Sequence, residues 1–198
     1  MALRILGAIL AMGTMAALAQ PPLIIAHRGA SAYLPEHTLP AKALAHAQGA
    51  DFIEQDVVLS RDGVPVVLHD IHLDGTTDVA QHFPARARED GRFYAIDFSL
   101  AELRTLRAGE RRGSDGQAVF PERFPDGPAF LPISTLEEEI RLITGLNRTR
   151  EHQAGLYIEM KGSAFHRDHG MDLPAAVLAV LRATGWDLAT DRVFLQSF

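Results

Sequence analysis

Residues 51–70 read Asp-Phe-Ile-Glu-Gln-Asp-Val-Val-Leu-Ser-Arg-Asp-Gly-Val-Pro-Val-Val-Leu-His-Asp, and this stretch constrains the chain more than any other. Two apolar, valine-rich runs flank Asp62-Gly63, a strong signal for a two-residue hairpin turn. Folding about that turn sets Arg61 against Val64, Val58 against Val67 and Asp56 against His69. Directly opposed residues share a face. Glu54 shares it too, because side chains two apart in a strand leave the same side. Two carboxylates and an imidazole therefore converge. On a merely structural hairpin those two acids would repel one another unless a cation lay between them.

The first nineteen residues have another character. Arg4 precedes an apolar run over residues 5–18, and Ala17-Leu18-Ala19 offers small residues for cleavage. Residues 1–19 are expected to be a signal peptide, sending a mature chain that starts at Gln20 to the periplasm or outside the cell. An uncleaved anchor is the alternative, but the run is short for a membrane span. The chain contains no cysteine, which excludes lipid attachment at a thiol and any disulfide. Core burial or a bound ion must then hold the exported domain together. Residues 20–198 suffice for one domain with a sizeable core. A formal net charge of -6 argues against nucleic-acid binding driven by bulk charge. Once the signal is cleaved, no stable membrane insertion is expected.

Residues 23–26 read as a buried strand ending at His27. Thr38 caps a helix that opens at Leu39-Pro40 and stops at Gly49. Residues 50–60 form the next strand and 64–68 its hairpin partner, so the start of the domain is a parallel βαβ unit. Residues 75–132, rich in Pro, Gly, Arg and Phe, break the rhythm and read as an insertion over one end of the domain. Their one clear helix opens at the capping box Ser99–Glu102 and runs to about residue 107. Ser134 and Glu137 form a second box, opening a helix to about residue 148. A strand over 156–160, a helix from Leu173-Pro174 to Gly185 and a strand over 192–198 complete the alternation. This makes about five strands, whereas a closed (β/α) barrel needs eight. The expected fold is α/β, the N-terminal portion only of a TIM barrel with a small insertion after the first hairpin. The domain over 20–198 is expected to be C-terminally incomplete; a compact domain in its own right is the alternative.

His27-Arg28-Gly29 lies just past the first strand, at the end where parallel α/β folds bind ligands. Arg28 offers a fork of donors suited to phosphate oxygens, and Gly29 permits close backbone approach or positive φ. Glu159 and Lys161 share a face at the end of a later strand, adding a third carboxylate and a second cation. Three carboxylates suit a hard divalent cation with oxygen ligands. Zinc fits less well in a chain without cysteine.

Together, His27-Arg28-Gly29, Pro35-Glu36-His37-Thr38, Gly49-Ala50-Asp51, Glu54-Gln55-Asp56-Val57, Asp62-Gly63, His69-Asp70, Tyr157-Ile158-Glu159-Met160-Lys161 and Leu195-Gln196-Ser197-Phe198 resemble the glycerophosphodiester phosphodiesterases. The insertion and His37 resemble the periplasmic, calcium-dependent branch; the cytosolic branch commonly has Asn in place of His37. One departure is Gly75, where many members carry Arg in a Leu-Asp-Arg-Thr run. The resemblance implies a TIM barrel, with Glu54, Asp56 and Glu159 as ligands of Ca2+ (or Mg2+). It makes His27 and His69 the general acid and base. Arg28 and Lys161 would face the phosphate, and Gln196 and Phe198 would lie near the substrate. It implies hydrolysis of glycerophosphodiesters to sn-glycerol 3-phosphate and an alcohol. Which histidine is the acid stays open, as does the nucleophile, either water or the substrate's own glycerol hydroxyl.

The remaining polar residues read plainly. His46, His72, His82, His152, His166 and His169 are local partners or solvated. Arg86/Arg88 and Arg111/Arg112 are solvated faces, Trp186 is a core plug, and Glu36 either orients a neighbour or faces solvent. Two other functions compete: a phospholipase D-like enzyme on the same barrel acting on lysolipids, and a non-catalytic fragment that only binds metal or phosphate.

Overall fold

A computed structural model of the chain describes residues 21–123, 130–186, 188–189 and 192–198. The signal peptide expected over 1–19 lies outside the described residues, as does part of the expected insertion. Strand β1 (Ile25–Ala26), helix α1 (Leu39–Ala47) and strand β2 (Phe52–Leu59) form a parallel βαβ unit, and β3 (Pro65–Val67) returns antiparallel to β2. The short helices α2 (Val79–His82) and α3 (Leu100–Leu103) follow. Then come α4 (Leu136–Thr149), β4 (Gly155–Met160), α5 (Ser163–Asp168), α6 (Leu173–Thr184) and β5 (Val193–Gln196). Strands β1-β2-β4-β5 are adjacent in that order and parallel, with β3 hydrogen-bonded to β2 beside that path. Such consecutive parallel strands, backed by helices, form an arc of a (β/α) barrel.

Two cores flank β2, which is buried along its whole length. Ile53 and Val57 pack with Ile140, Ile143, Leu156, Ile158, Val177 and Leu181, so one core lies between the sheet and α4 and α6. Val58 and Val66 instead meet Leu73, Phe93, Phe98, Leu103 and Leu106. Much of the segment after the hairpin is thus a second apolar layer laid against β2 and β3.

The hairpin register differs from the expected one by one residue. Val57 pairs with Val67, Val58 with Val66 and Leu59 with Pro65. Ser60 N donates to Val64 O at 3.0 Å, leaving residues 61–63 as a three-residue loop with Gly63 at φ 76°. This is the next commonest hairpin loop, a turn closed by a left-handed residue. Local side-chain bonds favour it. Ser60 Oγ donates to Asp62 Oδ1 (2.7 Å) and accepts from Val64 N (3.0 Å), while Leu100 N donates to Asp62 Oδ1 (2.9 Å). Asp56 accordingly faces Leu68, whose N donates to Asp56 O at 3.0 Å, and not His69. A one-residue slip exchanges the two faces of a strand, so strand pairing does not bring His69 to the acids.

Three helix assignments also shift. The capping residue of α4 is Thr135, which forms a complete box with Glu138, not Ser134 with Glu137. Ser134 Oγ is committed inward, donating to Glu139 Oε1 at 2.8 Å. The Ser99–Glu102 box opens α3 as expected, but the helix stops at Leu103 because Leu106 turns into the second core. The stretch around His166, for which no element was expected, is helix α5.

Candidate active site

In-register pairing places Asp56 beside Glu159 and Glu159 beside Gln196, while Glu54 lies beside Tyr157. Neighbours in register share a face, so Glu54, Asp56, Glu159 and Gln196 all leave the same side of the sheet. The three carboxylate residues are buried, at 2, 0 and 7 % exposure. The loop after β1 is shaped to meet them. Arg28 has φ 62° and Gly29 φ 83°, and Arg28 N donates to Glu54 Oε2 at 2.5 Å. A Cβ at Gly29 would lie 3.0 Å from the backbone carbon of Ala41, so glycine is needed there for space as well as for φ. His37 also has positive φ, 59°, and its N donates to Arg28 O at 3.1 Å. Non-glycine residues in this region cost roughly 1–3 kcal/mol each; both such residues here lie at the site.

His37, Glu54 and Asp56 each offer an atom within 4.8 Å of the others. The bonding of His37 removes it from the ligand set. Lys42 Nζ lies 3.0 Å from His37 Nδ1 and can only donate, so Nδ1 accepts. The ring proton is then on Nε2, which donates to Asp56 Oδ2 at 2.8 Å. Burial first, and then the Lys42 charge, push the His37 pKa well below its ordinary value, so the ring stays neutral. His37 orients Asp56 while Lys42 orients His37. Lys42 also donates to Glu54 O and pairs with Glu139 Oε2 at 3.3 Å, both side chains fully buried.

The site fits a hard cation. Asp56 Oδ1 is buried without a hydrogen bond. Burial, and then the neighbouring Asp56 charge, push Glu54 up to about 7. Both observations mark oxygen ligands whose charge is under-compensated by protein. Glu159 lies beside Asp56 in register, but it is not among the three residues whose ligand atoms come within 4.8 Å of one another. Its Oε1 pairs with Lys161 Nζ at 2.5 Å and its Oε2 accepts from Gln196 Nε2 at 3.0 Å. Lys161 Nζ stands 3.9 Å from Asp56 Oδ1.

His27 lies exposed at the rim. Burial of part of its ring and the Arg28 charge lower its pKa, against smaller pulls from Asp56 and Glu36, so it favours the neutral form. His69 is near enough to lower that pKa further. His69 Nδ1 lies 2.7 Å from Asp70 Oδ1. Burial would raise the Asp70 carboxyl, but hydrogen bonds from His69 and Arg111 outweigh it and hold Asp70 well below the ordinary range. An ionised Asp70 can only accept, so His69 carries its proton on Nδ1 and presents Nε2 for chemistry.

Glu54, Asp56 and Glu159 share a face as the strand pattern predicts, but the residues that support them were not expected. Gln196, expected near substrate, donates to Glu159. Phe198 is 96 % exposed beyond the end of β5. Glu36 is largely turned away from solvent and accepts from Arg28 (3.1 Å) and from Arg111 (2.6 Å). Arg111 was expected on a solvated face and is instead an ion-pair hub, with its side chain 21 % exposed. Arg88 makes a bidentate pair with Asp97 (2.7 and 2.8 Å), and Arg86 pairs with Glu102 at 3.0 Å, so that pair too is structural. Trp186 packs against the first core, as read from sequence, and its Nε1 donates to Thr144 Oγ1 at 3.0 Å. Lys42 and Glu139 carried no sequence signal beyond charged residues on the apolar faces of their helices.

A family profile described as the glycerophosphoryl diester phosphodiesterase family matches residues 27–198. A glycerophosphodiester phosphodiesterase of Haemophilus influenzae is 49 % identical over 179 residues, 89 % of this chain and 49 % of that protein. A crystal structure from Silicibacter pomeroyi DSS-3 superposes with TM-score 0.69 and 31 % identity, covering 90 % of this chain and 59 % of that one. An Oleispira antarctica phosphodiesterase, solved in complex with the product sn-glycerol-3-phosphate, superposes with TM-score 0.62 and 32 % identity over 89 % of this chain and 57 % of that one. The chain spans about half the length of the curated relatives it matches.

Proposed function

Because this chain belongs to the glycerophosphoryl diester phosphodiesterase family, we propose that it carries the metal-binding and acid–base part of an enzyme hydrolysing glycerophosphodiesters to sn-glycerol 3-phosphate and an alcohol. The observation that carries this reading is the in-register placement of Glu54, Asp56 and Glu159 on one buried face, with Asp56 Oδ1 lacking a hydrogen-bond partner. Glu54, Asp56 and Glu159 would hold a divalent cation, read here as calcium with magnesium as the alternative. Such an ion, when bound, offsets the phosphodiester charge and stabilises the charge that builds in the transition state.

The chain's own groups do the rest. His37 and Gln196 fix the directions of Asp56 and Glu159. Arg28 and Lys161, each partly exposed beside the acids, supply charge-assisted donors to phosphate oxygens. His27, neutral in its setting, is ready to accept a proton; His69, with Nδ1–H tied to Asp70, acts through Nε2. Between them they take a proton from the nucleophile and return one to the departing alkoxide. The apolar run over residues 5–18 after Arg4, read as a signal peptide, supports export to the periplasm, which fits the calcium-dependent branch of the family.

The test is release of glycerol 3-phosphate from glycerophosphocholine by the intact protein, with calcium and then with chelator. Turnover that chelator abolishes and calcium restores is expected; turnover indifferent to both would refute the reading. Lysophosphatidylcholine as a parallel substrate separates the phospholipase D-like alternative. His27→Ala and His69→Ala should each lose about 100- to 10,000-fold in kcat, and near-normal turnover by either would remove that residue from the pair.

A further inference from the structure

Gly75 adjoins the side chain of Arg111, which comes from the inserted segment. A Cβ built on Gly75 would lie 3.5 Å from a guanidinium nitrogen of Arg111 and 4.0 Å from Asp70 Oδ2. Arg111 comes from the segment after α3, 36 positions further along the chain. Its Nη1 donates to Asp70 Oδ2 at 2.6 Å; its Nη2 and Nε donate to the two oxygens of Glu36 at 2.6 and 3.1 Å. Asp70 is the partner of His69, and Glu36 is the partner of Arg28. One planar guanidinium therefore joins the hairpin side of the site to the β1 loop side. Lysine, a single point charge, cannot form this fork.

We propose that Arg111 is a positioning residue for this reaction, supplying from the inserted segment the guanidinium that ties Asp70 to Glu36. Its side-chain partners are Asp70 and Glu36, neither of them a proposed metal ligand. It acts by holding Asp70 against His69 Nδ1 and Glu36 against Arg28. A Cβ at 75 would stand in ordinary van der Waals contact with the Arg111 head group, so a longer side chain from that position reaches the same region. This inference rests on the phosphodiesterase reading above.

The experiment is an arginine transplant in the intact protein: Arg111→Ala, Arg111→Lys and the double variant Gly75→Arg/Arg111→Ala. It reads kcat and KM for glycerophosphocholine, the melting temperature, and the NMR signals of the His69 ring nitrogens. Arg111→Ala should lower kcat/KM about 10- to 100-fold, the scale for removing a residue that orients another functional group, with most of the loss in kcat. Lysine should not rescue it. The double variant should recover most of the activity and restore the His69 Nδ1–H signal, because the backbone at Gly75 admits a side chain within reach of Asp70. Wild-type kcat in Arg111→Ala, or a double variant no better than Arg111→Ala, would overturn the proposal. If the wild type shows no diesterase activity, the functional reading fails by itself. The His69 signal then decides the positioning claim: lost in Arg111→Ala and regained in the double variant supports it, and unchanged throughout overturns it.

Discussion

At the scale of single residues, the site depends on charges held where water cannot stabilise them. Lys42 and Glu139 are fully buried and face one another at 3.3 Å behind the acids. Removing one partner of such a pair strands the other. Lys42→Met should therefore cost about 3–5 kcal/mol of stability, and Lys42→Met/Glu139→Leu should recover a large part of it; urea unfolding of the three proteins checks this. Asp70 and Glu36 titrate below their ordinary values of 3.8 and 4.5, since ion pairs with Arg111 outweigh their burial. A carboxyl with a depressed folded-state pKa binds fewer protons folded than unfolded. Its contribution is complete above the unfolded pKa and is lost as pH falls. Melting temperature should thus begin to drop as pH falls below about 5 and keep dropping to well below pH 3, and the drop should be shallower in Arg111→Ala. An identical acid limb in both proteins would contradict the ion-pair assignment.

Elements were legible where periodicity and turn chemistry agree, and less so where one residue decides between neighbouring arrangements. The βαβ start, the position of β4 and the end of α6 at Gly185 could all be read from apolar runs, Pro and Gly. The hairpin could be recognised, but its register could not. Asp62-Gly63 serves a two-residue or a three-residue loop, and the bonds of Ser60 and Leu100 to Asp62 select the longer one. Adjacent Ser134 and Thr135 are equally good caps on paper. The inward bond of Ser134 to Glu139 leaves the role to Thr135. Thr135→Ala should accordingly destabilise by about 1 kcal/mol, the usual cost of a lost cap. Ser134→Ala leaves the helix start intact and costs stability only through the donor it removes from buried Glu139; urea unfolding measures both losses, and amide exchange at Glu138, whose N–H Thr135 caps, should quicken only in Thr135→Ala. The acids were found although the expected register was wrong, because Glu54, Asp56 and Glu159 meet through parallel pairing of β2 with β4. Long-range partners such as Arg111 with Glu36, 75 positions apart, leave no local pattern to read.

Over the whole molecule, the sheet is an arc of a TIM barrel, and the carboxylates of two of its strands, with the loop that follows β1, make one site. The layer after the hairpin is part of that site through Arg111. The central claim is that Glu54, Asp56 and Glu159 jointly hold one divalent cation beside His27 and His69. Calcium titration by calorimetry of the intact protein, alongside Glu54→Gln, Asp56→Asn and Glu159→Gln, tests it most directly. The account predicts one tight site per chain, weakened at least about tenfold by each substitution, in line with losing a ligand whose supporting contacts alone are worth that much. Undiminished calcium affinity in all three variants would contradict it.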